Sequence, residues 1–232
     1  MKRLWMIITL FISTTAIAAE DSVYDFSWLD QDKEVYVLQN RKFRKAGDFY
    51  VGGTFEKNTN QAFIDSYGAS FLAGFFFKED WGIEFIYNVS SGDTNNTFTL
   101  SRDAGSVAYY RKVDSYMGAM LMWSPFYSKI NTFNKVFYYD WLFGVGLASV
   151  NTTNNAEEFY VSSSDELTKE SSMGAIWTTG MRFYINESWS LRLDFRALHT
   201  SVERPKSRTP GDGKEKVWFH NYDIGAGINY AF

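Results

Sequence analysis

From Trp189 to His199 the chain reads WSLRLDFRALH, with Trp189, Leu191, Leu193, Phe195 and Ala197 in one phase and Arg192, Asp194 and Arg196 in the other. Alternation with a period of two gives a chain two chemically distinct faces only when it is an extended strand. The pattern recurs along the sequence. Phe49, Val51 and Phe55 share a phase with Gly53, and Tyr67, Ala69, Phe71, Ala73, Phe75 and Phe77 share the next. Trp81, Ile83, Phe85, Tyr87 and Val89 alternate with Gly82, Glu84 and Asn88, and Met117, Ala119, Leu121 and Trp123 form a further set. Phe137, Tyr139, Trp141, Phe143, Val145 and Leu147 stand against Asp140, Gly144 and Gly146. Trp177, Met181, Phe183 and Ile185 stand against Gly174, Gly180 and Arg182. The final stretch, HNYDIGAGINYAF, sets Tyr222, Ile224, Ala226, Ile228, Tyr230 and Phe232 against Asp223, Gly225, Gly227 and Asn229.

Eight such strands fit a soluble sandwich or a membrane barrel, and strand length separates the two. Sandwich strands run about 5–6 residues, whereas a tilted strand that crosses a bilayer needs about 9–11, and these runs are mostly of the longer kind. The connections alternate as well. Lys78 to Asp80 and Asn186 to Ser188 are tight, and SPFYSKINTFN reads as a moderate connection. The segments near Asn58 to Ile64, Ser91 to Ser106, Val150 to Ser172 and Ser201 to Val217 are long and mostly polar. Short turns at one end and long loops at the other predict an all-β fold, an eight-stranded antiparallel up-and-down transmembrane β-barrel with its short turns in the periplasm. Composition agrees: aromatics are 19% of the chain, with 17 Gly but only 3 Pro, and a mean hydropathy of -0.28 excludes a helical membrane protein. The net charge of -4 offers no basic field for nucleic acid, and the absence of cysteine excludes disulfides, thiolate metal sites and a cysteine nucleophile.

MKRLWMIITLFISTTAIAA has a basic start, a short apolar run and small residues before a cut near Ala18 or Ala19, which predicts a secretory signal over residues 1–19. Residues 20–47 then form a periplasmic N-terminal arm and residues 48–232 the outer-membrane barrel. The arm is expected either to strap the barrel mouth through Tyr36, Leu38 and Phe43 or to dock a periplasmic partner. The last strand closes the barrel against the first, because hydrocarbon leaves no backbone group unpaired. Tyr230 and Phe232 on that strand are the expected signal for the outer-membrane assembly machinery. Trp81, Trp123, Trp189 and Trp218 are the expected interfacial aromatics, in contact with outer-membrane lipids and lipopolysaccharide.

The inward phase carries Glu84, Asp140, Asp194 and Asp223 with Arg182, Arg192 and Arg196. An eight-stranded interior is just wide enough to be filled by side chains, so these residues predict a packed ion-pair network, with a narrow channel or binding pocket as the alternative. His199 and His220 are the two histidines, both in the apolar phase. A lipid-modifying enzyme would need a histidine oriented by an acid beside a serine such as Ser201. Two histidines without carboxylates make a poor metal site, and TPGDGKEK lacks a calcium-loop pattern, so no cofactor is expected.

VYVLQNRKF at Val35 to Phe43, followed by a barrel of this length and by WSPFYSKINTFNKVFYYD, resembles the outer-membrane β-barrel domain family of myxobacteria and predatory relatives. The likeness runs from about Val35 to Phe232. It implies an outer-membrane location and a barrel fold, and associates some members with envelope machinery for surface motility. The VYVLQNRKF stretch makes Val35, Leu38, Gln39, Asn40 and Arg41 the candidate partner-binding residues. The sequence thus points to a non-catalytic barrel, a structural or partner-binding component of the cell envelope, with no nucleic-acid partner.

Overall fold

The computed structural model describes residues 41–133, 135–160, 166–207, 209 and 212–232. The expected signal segment and the arm residues Val35, Leu38, Gln39 and Asn40 lie outside the described residues. In chain order the elements are β1 (Phe49–Asn58), β2 (Ile64–Phe76), β3 (Trp81–Thr94), α1 (Asn96–Asp103), β4 (Arg111–Thr132), β5 (Lys135–Asn154), α2 (Ala156–Tyr160), β6 (Thr168–Tyr184), β7 (Trp189–Pro205) and β8 (Lys214–Ala231). Each strand pairs antiparallel with the next and β8 pairs with β1, so the sheet is a closed barrel without an edge.

The register fixes the interior. Followed strand by strand from Trp81, the pairing passes Trp123, Phe143, Thr179, Phe195, Ile224, Lys57 and Tyr67 and returns to β3 at Ser91, ten residues further along. Eight strands with this stagger tilt steeply and enclose a lumen that side chains can fill. The two phases then separate by medium. Phe55, Phe71, Phe85, Val145 and Leu193 are exposed on the outside, while Glu56, Glu84, Asp140, Arg192 and Arg196 are buried inside. That is the polarity of a soluble core reversed, as expected of a barrel whose outer surface meets hydrocarbon.

The stagger climbs by about 1.25 residues per strand, so residues at one height are offset between neighbours. Allowing for it, Trp81, Trp123, Trp141, Phe183, Trp189, Tyr230, Phe49 and Phe75 fall on one ring near the short-turn rim, an aromatic from every strand. Ring contacts run along it: Trp81 lies 6.0 Å from Trp123, Trp189 5.0 Å from Tyr230, and Phe232 5.8 Å from Phe49.

Two expectations about connections need correction. The stretch SPFYSKINTFN is not a loop: β4 runs through it to Thr132, which pairs with Lys135. A bulge between Trp123 and Phe126 shifts the alternation by one residue, which hid the strand from a period-two reading. The long loops are also shorter than expected, because polar strand ends such as Val150–Asn154 and Ser201–Pro205 continue the ladder beyond the apolar band. Hydrophobic alternation marks only the part of a strand that lies in lipid.

Candidate functional site

The lumen is packed in two connected layers. Nearer the short-turn rim, Arg192 grips the Glu84 carboxylate with both terminal nitrogens, Nη2 at 3.0 Å, while the Tyr50 hydroxyl donates to the same carboxylate. Arg192 Nε donates to Asp194 at 2.8 Å. Gly74 makes room for this: a Cβ there would stand 2.3 Å from the Tyr50 ring. In the second layer Arg196 Nη1 donates to Glu56 and, at 3.1 Å, to the Tyr116 hydroxyl. Glu56 also accepts from Thr54 at 2.8 Å, Ser70 at 2.7 Å and Asn88 at 3.1 Å. Arg196 Nη2 lies 3.5 Å from Asp194, which joins the layers. Buried charges persist only when paired and hydrogen-bonded; Glu84, Arg192 and Glu56 meet that condition, while Arg196 is hydrogen-bonded through Nη1 alone, its Nε and Nη2 having no hydrogen-bond partner.

The remaining expected lumen residues sit at the ends of this network. Asp223, toward the long-loop rim, accepts from the Asn58 and Asn221 amides at 2.9 and 2.7 Å rather than from a cation. Arg182, toward the short-turn rim, lies over the Tyr50 ring at 4.5 Å and the Phe76 ring at 5.3 Å. Asp140 accepts from Lys45 Nζ and the Tyr184 hydroxyl, both at 2.6 Å. Glu56, Tyr50, Tyr116 and Asn88 belong to the site although the sequence reading did not single them out. The inward phase of Glu56, next to outward Phe55, was the signal that could have found it.

Lys45 had no such signal, because it arrives from outside the barrel. Residues 41–47 form a strap across the short-turn rim. Arg41 pairs with Asp80 at 3.0 Å and Glu79 at 3.5 Å, and Phe43 stacks on Tyr184 at 4.7 Å with its edge to Tyr138 at 5.4 Å. Lys45 also donates to Ser124 at 2.6 Å, in the bulge of β4. Burial pushes the Lys45 ammonium below its ordinary pKa, and Asp140 works against that shift. The space left at this mouth, lined by Arg182, Tyr50, Asn229 and strap residues, is a cavity of about 20 Å³, room for one or two waters.

Beside the strap, β4 and β5 leave the barrel as a ribbon. Pairing of β3 with β4 ends at Trp81 and Trp123, and that of β5 with β6 at Tyr138 and Tyr184, whereas β4 and β5 stay paired to Thr132 and Lys135. Six residues beyond Trp141 correspond to about 20 Å of strand. The ribbon exposes Phe126, Ile130, Val136 and Phe137, and at its turn Phe133 is 93% exposed. Phe133 has φ 51, a left-handed conformation that hairpin turns normally give to Asn, Asp or Gly.

On the outer face, His199 and His220 meet with Nδ1 atoms 2.6 Å apart, and Trp177 Nε1 donates to His199 Nε2 at 2.9 Å. Both ring nitrogens of His199 are therefore engaged, neither by a serine nor by a carboxylate. Among the described residues no cluster of three or more His, Cys, Asp or Glu side chains is placed to hold a metal ion. Trp218 lies two positions beyond His220, outside the short-turn ring, where it lines a pocket with Tyr109, Arg204 and Phe219.

Closure of the sheet, reversed polarity and a filled interior define the class: an eight-stranded transmembrane β-barrel. No protein-family model matches the chain, and no curated protein sequence matches it. Among solved structures it is similar to the outer membrane protein OprG from Pseudomonas aeruginosa, at 16% identity over 82% of this chain and 98% of that one, with a TM-score of 0.49. It is also similar to Neisserial surface protein A, at 13% identity over 80% of this chain and 99% of that one, TM-score 0.48. The N-terminal β-barrel domain of Pseudomonas aeruginosa OprF matches at 13% identity over 81% of this chain and 98% of that domain, TM-score 0.47.

Proposed function

We propose that the protein is a non-catalytic, non-conducting barrel of the outer membrane that holds an envelope partner at its periplasmic face. The observation that carries this reading is the lumen, where Glu84, Arg192, Asp194, Arg196 and Glu56 form one bonded network and Lys45 plugs the mouth. A water path would need the side chains of both layers to part, and each would then lose a buried partner. In this reading the short-turn rim faces the periplasm and the long loops face outward, toward lipopolysaccharide. Tyr230, on the strand that closes the sheet, and Phe232, just past its end, are then offered to the assembly machinery.

The partner reading rests on the ribbon and strap. Apolar side chains on a two-stranded ribbon, ending on an exposed Phe133 in a conformation unfavourable for phenylalanine, make a protruding contact that the described residues leave uncovered. The ribbon lies in the WSPFYSKINTFNKVFYYD segment that carries the resemblance to the myxobacterial barrel family, and an envelope assembly linked to surface motility is the partner which that resemblance implies. The test has two arms. Refolded protein in a planar bilayer is expected to give no discrete conductance steps, and well-resolved single-channel openings would overturn the non-conducting reading. A photo-crosslinker at position 133 is expected to capture one envelope protein in cells while the same group at Phe85 captures none; equal labelling from both positions would remove the ribbon as a docking element.

A further inference from the structure

Lys45 carries a charge of the strap into the barrel, whereas most of the strap's other contacts lie on the rim. Arg41 meets Glu79 and Asp80 there, the backbone N–H groups of Lys42 and Phe43 donate to the Tyr127 hydroxyl at 3.2 and 3.4 Å, and those of Lys45 and Ala46 donate to the Glu79 carboxylate at 3.2 and 3.4 Å. Two side chains go deeper, Phe43 against Tyr184 and Lys45 into the mouth. The strap joins β1 through Gly47, whose φ of 90 lies in a region that glycine enters at no steric cost. That residue is the natural pivot for a strap that swings out.

Swinging out separates Lys45 from Asp140, a carboxylate with no exposed surface. Stripping a buried carboxylate of its cation is strongly destabilising, so the Lys45 pair by itself would lock the strap shut. A second cation stands beside it. Arg182 is the direct cross-strand partner of Asp140, and side chains placed in this way have Cβ atoms about 5 Å apart, well within the reach of a guanidinium. Arg182 nevertheless lies over the Tyr50 and Phe76 rings, at 4.5 and 5.3 Å, and its buried Nε and Nη2 have no hydrogen-bond partner among the described residues. Asp140 has an open acceptor to match. Lys45 and the Tyr184 hydroxyl both donate to Oδ2, while the buried Oδ1 accepts nothing from the described residues. Two open donors and one open acceptor on facing residues describe an ion pair held apart. The Lys45 ammonium is what holds it apart, since Lys45 and Arg182 line the same small cavity and like charges there repel. Arg182 is accordingly one of the charges that press the Lys45 pKa down.

We propose that the strap is a latch with Arg182 as its reserve counter-ion: when Lys45 withdraws from the mouth, Arg182 turns from the Tyr50 ring onto Asp140, so the latch opens without leaving a buried carboxylate unpaired. A partner that takes hold of the strap then works against Phe43 and the rim contacts alone. The deeper pair of Arg192 and Glu84 keeps its bonds in both states, so opening changes the periplasmic face and leaves the lumen sealed. The latch belongs to the strap and does not depend on what the ribbon contacts.

The test uses full-length protein in lipid nanodiscs, where trypsin reaches both ends of the barrel, with the folded barrel verified first by heat-modifiable migration. Cleavage after Lys42 and Arg44 is followed by mass spectrometry, and its rate tracks the population of the open strap when closing outpaces cleavage. Lys45→Met should speed it. Arg182→Met should slow it, by at least about tenfold, because opening then strands Asp140, and Arg182→Lys, which keeps a cation opposite the carboxylate, should restore the parent rate. A merely structural Arg182 predicts the reverse, since disrupting the mouth would loosen the strap. In an Asp140→Asn background no carboxylate is left to strand, and adding Arg182→Met should leave the rate unchanged. Cleavage of folded Arg182→Met as fast as the parent or faster overturns the proposal. So does a slowing that persists in full with Asp140→Asn, which would show that Arg182 acts only by repelling Lys45. If Arg182→Met does not fold, Arg182→Gln is read by the same criteria.

Discussion

Leu193 and Asp194 are neighbours on β7, yet Leu193 is 51% exposed and Asp194 is 4% exposed. In a water-soluble sheet such numbers would describe a misfolded strand. Here they teach that burial and polarity have been uncoupled. The outward face satisfies the hydrophobic effect against lipid, so it needs no partner side chains, and the inward face must satisfy every charge within the protein. The two faces are therefore stabilised by different physics and should respond differently to the same kind of substitution.

The largest expected effect lies inside. Arg192→Leu strips Glu84 and Asp194 of their shared cation and should cost about 3–5 kcal/mol, read by urea unfolding in lipid vesicles. Adding Glu84→Leu to that variant should cost less than the sum of the two single changes, because the pair acts as one unit. A near-neutral Arg192→Leu would break the comparison, since the interior would then be hydrated rather than sealed.

Leu193 comes next. Four residues along β7 from Trp189, it lies about 10 Å above the aromatic ring, and Leu193→Arg should cost about 2–4 kcal/mol at such a depth. The same measurement checks it, and a cost near zero would mean that this face is wet. A third contrast sets the strap against the strands. Lys45→Met removes one of the two donors to Asp140 and should cost about 1–3 kcal/mol, while trypsin should cleave at Arg41, Lys42 and Arg44 faster than in the parent. Slow cleavage in the variant would show that the strap is held by Phe43 and Arg41 without the buried ion pair. The smallest effect belongs to the ring: Trp189→Ala, which loses the edge contact with Tyr230 at 5.0 Å, should cost about 1 kcal/mol beyond its lost area. An effect as large as that of Arg192→Leu would mean that the ring is structural rather than interfacial.

Much of this arrangement was legible in the chain. The period-two phases assigned the strands, and the assignment of Glu84, Arg192, Asp194 and Arg196 to one face followed without any contact being known, because a strand's side-chain period is a property of its own backbone. The ribbon was not legible. Its bulge at Trp123 to Phe126 slips the phase, and its exposed tip carries no alternation to read. Nor was the choice of partners. Arg182 and Asp140 are cross-strand neighbours of opposite charge, yet the structure gives Asp140 to Lys45 and sets Arg182 over Tyr50.

What the sequence determined by itself is therefore the fold class, the two media and the side of the wall on which each residue of a regular strand stands. These are local properties, repeated every second residue, and they do not depend on which strand comes next. Only the tertiary structure decided the ten-residue stagger, and with it which heights coincide. That stagger makes a ring of aromatics from residues scattered between Phe49 and Tyr230. It also decided that an arm residue would complete the interior. Contacts of this kind depend on the closure of the whole sheet, a global constraint that no window of sequence contains.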